Sequence, residues 1–132
     1  MFIELTDHLR CPEDHDESFL VLLPGRMEGR RVTEGTIGCP VCHREVAIAD
    51  GILAFGGAHG AHRPADLTAD AACALLGLGG PGGYLALVGG AGVLAEEVAA
   101  SLPGVSLVLV NPPPGVPDSP WASVVRAPRL PL

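Results

Sequence analysis

The chain has 132 residues, 48% of them hydrophobic, a positive mean hydropathy and a formal net charge of −7. That allows one modest core or two small ones and excludes a large multidomain enzyme. The eight basic residues are all arginine, too few and too scattered to neutralise phosphates, which excludes a direct nucleic-acid surface.

The N-terminal stretch MFIELTDHLRC carries Glu4 and Asp7 where a secretory signal would carry basic and then apolar residues. It therefore reads as cytoplasmic, where neighbouring cysteines are metal ligands more often than disulfide partners. TDHLR opens a helical turn that Thr6 would cap. SFLVLLP (18 to 24) is a short apolar strand, and PGRMEGRR after it a turn region with exposed charge. EVAIADGILAF (45 to 55) is a pair of short strands broken at Asp50-Gly51.

Charge is uneven along the chain. Residues 1 to 65 hold ten acidic and six basic side chains, whereas 66 to 132 hold five and two. The Gly, His and Pro of FGGAHGAHRPADL (55 to 67) mark the join. The expected division is a domain over 1 to 55, a linker over 56 to 67 and a second unit over 68 to 132.

In that second unit, DLTADAACALLGLG (66 to 79) reads as a helix with Thr68 at its N-cap, Gly77 or Gly79 at its end and Cys73 as a small core residue. GYLALVGG (83 to 90) is an apolar strand, AGVLAEEVAASL (91 to 102) a helix and VSLVLVNPP (105 to 113) a second apolar strand. Together they make a βαβ unit, and strands apolar throughout belong in a parallel sheet covered on both faces. WASVVRAP (121 to 128) adds a third strand after a Pro-rich loop. The 25 uncharged residues from 71 to 95 are nominally long enough to cross a bilayer, but eight are glycine and GGPGG interrupts them, so no membrane association is expected.

The chemistry lies in two Cys-Pro turns, CPEDH (11 to 15) and CPVCH (39 to 43). Zinc takes four tetrahedral thiolate or imidazole ligands, and knuckles of the form Cys-x2-Cys and Cys-x3-His each supply two. Cys11, His15, Cys39 and Cys42 then form a closed, structural site whose binding energy would support folding of a small lobe. Asp14 or Asp16 is an alternative fourth ligand. The plain alternative is that Cys11 is a buried thiol and Cys39 and Cys42 a surface dithiol. CPVCH also satisfies the Cys-x-x-Cys-His attachment motif for c-type haem, but that reading needs export and leaves Cys11 unexplained. His43, His8, His59 and His62 read as surface residues.

LTDHLRC followed by GTIGCPVCHREVAIADGILAF resembles the zinc-ribbon family of methyltransferase activators, over residues 2 to 55. Cys11, Cys39, Cys42, Ile48 and Gly51-Ile52 match the family's pattern. Val46 and Ala47 replace its aromatic pair, Leu53 stands where it has proline, and His15 stands near its second ligand position. The resemblance implies a non-catalytic zinc-binding subunit that binds and stabilises a methyltransferase.

VGGAGVLAEEVAASLPGVSLVLVN resembles the first βαβ of a nucleotide-binding Rossmann-type fold and the opening of a SAM-dependent methyltransferase. Gly90-x-Gly92-x-x-Ala95 fits the glycine fingerprint, which makes Gly90 and Gly92 the candidate cofactor contacts. Asn111 stands where an acidic ribose ligand is expected. The three strands fall short of the roughly seven such an enzyme uses, so SAM binding is the weaker expectation.

The expected fold class is α/β, or α+β overall: a zinc ribbon followed by a small Rossmann-like βαβ unit with a short parallel sheet. The expected function is a non-catalytic zinc-binding partner or assembly subunit with no catalytic residues. It would associate with a protein partner or with itself through the apolar second half, at Tyr84 to Val88 and Leu107 to Val110. The alternative is an N-terminal fragment of a SAM-dependent methyltransferase with a fused ribbon.

Overall fold

The computed structural model describes residues 1–56, 66–80 and 82–132. Most of the expected linker, with His59 and His62, lies outside them, as does Pro81. The described residues build one seven-stranded mixed sheet with two short helices on one face. Its strands are β1 (Val21–Glu28), β2 (Arg31–Gly38), β3 (Glu45–Ala49), β4 (Ile52–Ala54), β5 (Tyr84–Val88), β6 (Ser106–Val110) and β7 (Ala122–Arg126). Their order across the sheet is β1-β2-β3-β4-β7-β6-β5.

The first four strands form an antiparallel meander. Gly29, at φ +61, opens the two-residue turn between β1 and β2. Asp50 and Gly51, at φ +51 and +76, form the turn between β3 and β4, where two left-handed residues match the twist of the strands. PGRMEGRR, expected as a turn, instead supplies five residues of β1, the two-residue turn and the first residue of β2. Pro24 is tolerated there because β1 lies at the sheet edge, and register shifts on both sides of Arg26 absorb the irregularity.

The last three strands run parallel, as their continuous apolar character predicted. The helix α1 (Ala69–Leu75) is capped as expected, the Ala71 amide donating to Thr68 Oγ1 at 3.3 Å. The helix α2 (Ala95–Ser101) is shorter than the sequence suggested, because Gly89–Leu94 winds as a 3-10 turn.

What joins the halves is the parallel pairing of β4 with β7, Leu53 opposite Val125. The meander and the parallel strands are one sheet, so the core crosses the expected boundary. Alternation along the strands sorts the side chains. Leu87, Leu107, Leu109, Ala122 and Val124 pack against Cys73, Ala95 and Val98 of the helices. Val108, Val110 and Val125 face the other way, onto Met1, Leu5, Leu9, Ile37 and Ile48.

The N-terminal segment thus lids the second face. It begins as a 3-10 turn at Ile3–His8, and Thr6 falls inside that turn instead of capping it, its hydroxyl buried without a partner. Phe2 and Ile3 anchor the segment, the Phe2 amide donating to Ser123 Oγ at 2.8 Å and the Ile3 amide to the Arg30 carbonyl at 3.0 Å. The Met1 amino group and Arg31 both pair with Asp118 over Gly51, where any side chain would collide with that carboxylate.

Leu107 to Val110 lie in an interior strand and are buried within the chain, so this stretch offers no free face. The exposed apolar stripe of the second half is Tyr84, Ala86 and Val88 on β5, the strand at the sheet's far edge. Among the described residues, no helix is long and apolar enough to cross a membrane.

Candidate metal centre

Two loops carry the cysteine motifs, and the fold brings them together. The first is the turn between Leu9 and Leu20, both buried. The Leu20 amide bonds to the Leu9 carbonyl at 3.2 Å and the Cys11 amide to the Ser18 carbonyl at 3.0 Å, which closes the loop around Cys11 and His15. The second is the β2–β3 connection. There the Cys39 amide donates to the Arg44 carbonyl at 2.9 Å and the His43 amide to the Cys39 carbonyl at 3.0 Å. His43, exposed at φ +57, follows the second cysteine of the knuckle and is not among the clustered groups. Arg44 clasps the two loops, pairing with Glu13 of the first and donating to the Phe55 carbonyl.

The sulfurs of Cys11, Cys39 and Cys42 and a ring nitrogen of His15 lie within 4.8 Å of one another. The Cys11 and Cys42 sulfurs are 3.7 Å apart, and Cys39 Sγ is 3.4 Å from His15 Nε2. Zinc bonds of 2.3 Å to sulfur and 2.0 to 2.1 Å to nitrogen, tetrahedrally disposed, would give edges of about 3.8 Å and about 3.6 Å. The donor set of three thiols and an imidazole therefore suits a zinc ion, and the Cys11–Cys42 and Cys39–His15 edges come close to those lengths.

Hydrogen bonding around the ligands favours the same arrangement. The Asp16 carbonyl accepts from His15 Nδ1 at 2.6 Å, which fixes the proton there and leaves the Nε2 lone pair facing the sulfurs. Asp14 and Asp16, the alternative ligands, have exposed side chains and are absent from the cluster.

Charge on the metal-free thiols is unequal. Burial pushes Cys39 up, but the amides of Cys42 and Val41 and the neighbouring thiols outweigh it and hold it at about 6. Burial, reinforced by Cys39 and Cys42, pushes Cys11 up to about 12. The shared-proton cluster can accept a dication only by releasing the proton on Cys11. A metal held by all four side chains would have no open position, which would make its role structural.

The glycine loop has a different setting. A side-chain carbon at Gly92 would stand 3.0 Å from Pro112 Cβ, so this glycine lets the 3-10 turn close onto the Pro-rich loop. Gly90 is half-buried in the same turn. A cavity of about 330 Å³ beside it is lined by Gly92, Val93, Glu96, Val116 and Trp121, among others, with no basic residue.

Asn111 is a clamp. Its Nδ2 donates to the Ala127 carbonyl at 2.8 Å, and its Oδ1 accepts from the Ala127 amide at 3.0 Å. Sequence reasoning missed this role, as it missed the Arg44 clasp and the pairing of Arg31 with Asp118. None has a local signature, since each joins residues brought together by the fold. Comparison with protein-family models, curated proteins and solved structures gives no significant match.

Proposed function

We propose that this chain is a non-catalytic zinc-binding assembly subunit. An N-terminal zinc ribbon holds one structural zinc through Cys11, His15, Cys39 and Cys42, and the β5–β6–β7 portion is a small Rossmann-like unit devoted to packing and association. The activator-like motif pattern makes a methyltransferase the partner class. The observation that carries the reading is the cluster of four donors within 4.8 Å of one another.

Two surfaces support an association role. Val21 and Leu23, exposed on edge strand β1, line a shallow hollow with Pro40 and Cys39 beside the metal centre. At the opposite edge, β5 offers Tyr84, Ala86 and Val88 with no charge, proline or bulge to discourage another strand.

That bare edge also suits the alternative of a methyltransferase fragment, since further parallel strands would join there. Thermal shift separates the two: stabilisation by a partner protein alone supports the subunit, and stabilisation by SAM supports the fragment. Metal analysis of protein purified without added zinc should find about one zinc per chain, the count that four closed ligands imply. Cys11→Ser and Cys39→Ser should each lose it; unchanged metal content in both refutes the site.

A further inference from the structure

We propose that Cys42 and Cys11 form a peroxide-sensitive thiol pair, whose oxidation to a disulfide expels the metal while keeping the two loops joined. The pairing rests on the metal reading of the same site and adds a means of emptying it.

Access selects the first thiol. Cys42 lies in the outer turn of its knuckle and is the exposed member of the set; Cys39 is buried, and Cys11 and His15 are half-buried. A small oxidant arriving from solvent meets Cys42 first. Geometry selects the second. The Cys11 sulfur stands 3.7 Å away, so a bond of about 2.05 Å needs an approach of about 1.7 Å. Cys39 lies deeper in the same cluster, buried, with its sulfur 3.4 Å from the Val41 amide that donates to it and 3.4 Å from His15 Nε2.

The chemistry is a two-electron oxidation by hydrogen peroxide. In the zinc-loaded site both cysteines are thiolates: the Cys42 sulfur attacks a peroxide oxygen, an S–O bond forms, the O–O bond breaks, and hydroxide leaves and takes up a solvent proton as the first water. The Cys11 sulfur then attacks the Cys42 sulfur. An S–S bond forms, the S–O bond breaks, and hydroxide leaves and takes up a second solvent proton as the second water. Two thiolates are oxidised, one peroxide and two solvent protons become two waters, and the zinc ion is set free.

The choice of pair decides the outcome. After a Cys11–Cys42 bridge only Cys39 and His15 remain as ligands, too few for a zinc site of this kind. Yet the bridge runs from the first loop to the second and so replaces the metal as their cross-link. A Cys39–Cys42 bridge would lie within one knuckle and add no covalent link to the first loop. Cys73, buried on α1 against the other face of the sheet, serves as an unreactive internal reference.

The test treats the zinc-loaded full chain with hydrogen peroxide. It follows zinc release with a chromogenic chelator, maps thiol pairing by mass spectrometry after alkylation, and records the melt. The expected result is one equivalent of zinc released at the rate at which the Cys11–Cys42 bridge appears. Cys73 stays reduced, cooperative melting is kept, and dithiothreitol with zinc restores the starting state. A Cys39–Cys42 bridge, zinc release without a bridge, or loss of cooperative melting overturns the proposal. Zinc-loaded protein that resists peroxide overturns the thiol pair and leaves the metal reading standing. Protein unable to hold zinc that still forms the Cys11–Cys42 bridge overturns the metal reading and supports the pair.

Discussion

Asn111→Ala tests whether the residue at the end of β6 is a structural clamp or the remnant of a ribose contact. The Asn111 side chain makes two bonds to the buried Ala127, at 2.8 and 3.0 Å, and its backbone sits at φ +50. Each lost bond leaves a backbone group unpaired, at about 1 kcal/mol or somewhat more. Alanine in the left-handed region adds roughly 1 kcal/mol that asparagine largely avoids. The sum is about 3 kcal/mol, or a fall in Tm of about 12 °C for a chain of this size. Urea unfolding followed through Trp121, the one tryptophan and the residue just before β7, reads the change directly. Asn111→Asp keeps the acceptor for the Ala127 amide but loses the donor, so it should cost about half as much. If residue 111 were a nucleotide contact, that carboxylate would instead create stabilisation by SAM or adenosine. Unchanged stability in the alanine variant, or a ligand-dependent shift in the aspartate variant, refutes the clamp.

Gly51→Ala should destabilise the fold by about 3 kcal/mol or more, because the methyl group displaces the buried pairing of Asp118 with Arg31 and the residue must hold φ +76. A change under about 1 kcal/mol in urea melts would show that the turn rearranges freely. Leu107→Asp, in an interior strand and 0% exposed, should fail to fold by circular dichroism, whereas a folded but dissociated variant would place this side chain at an interface. Zinc affinity should fall on acidification, and more steeply below about pH 6. There the Cys39 thiol, held at about 6, takes up a proton that the metal must displace in addition to the one on Cys11. The Asp16 carbonyl also raises His15, so its proton begins to compete at a higher pH than that of an ordinary imidazole. Chelator competition at several pH values reads the slope, and a constant slope through pH 6 would contradict the low Cys39 value.

Features set by neighbouring residues were readable in advance. Asp50-Gly51 announces its turn because both residues tolerate positive φ, and Thr68 announces a helix because a hydroxyl three residues before an unpaired amide can cap it. Strands β6 and β7 show as apolar runs because both their faces are covered, whereas β5, equally apolar, leaves Tyr84, Ala86 and Val88 exposed. PGRMEGRR misleads for the opposite reason. On an edge strand exposed on both faces, no buried side imposes alternation, and proline and glycine cost little. The pairing of Leu53 with Val125 had no local trace at all, since it joins strands separated by the rest of the chain.

The same distinction separates the two candidate sites. The spacings of Cys11, His15, Cys39 and Cys42 describe a metal site almost unaided, because each knuckle is a local turn and only the meeting of two turns needs the fold. The glycine fingerprint depends instead on what occupies the space in front of it, and there Pro112 stands against Gly92 while Asn111 holds Ala127. The first metal loop hangs between Leu9 and Leu20, and Leu9 belongs to the lid over Val108 and Val125. A zinc ion tying that loop to the β2–β3 knuckle would therefore steady the cover of the parallel strands as well as the loops that bind it. One core shared by both halves would make a metal bound at this site a support for the second half as well.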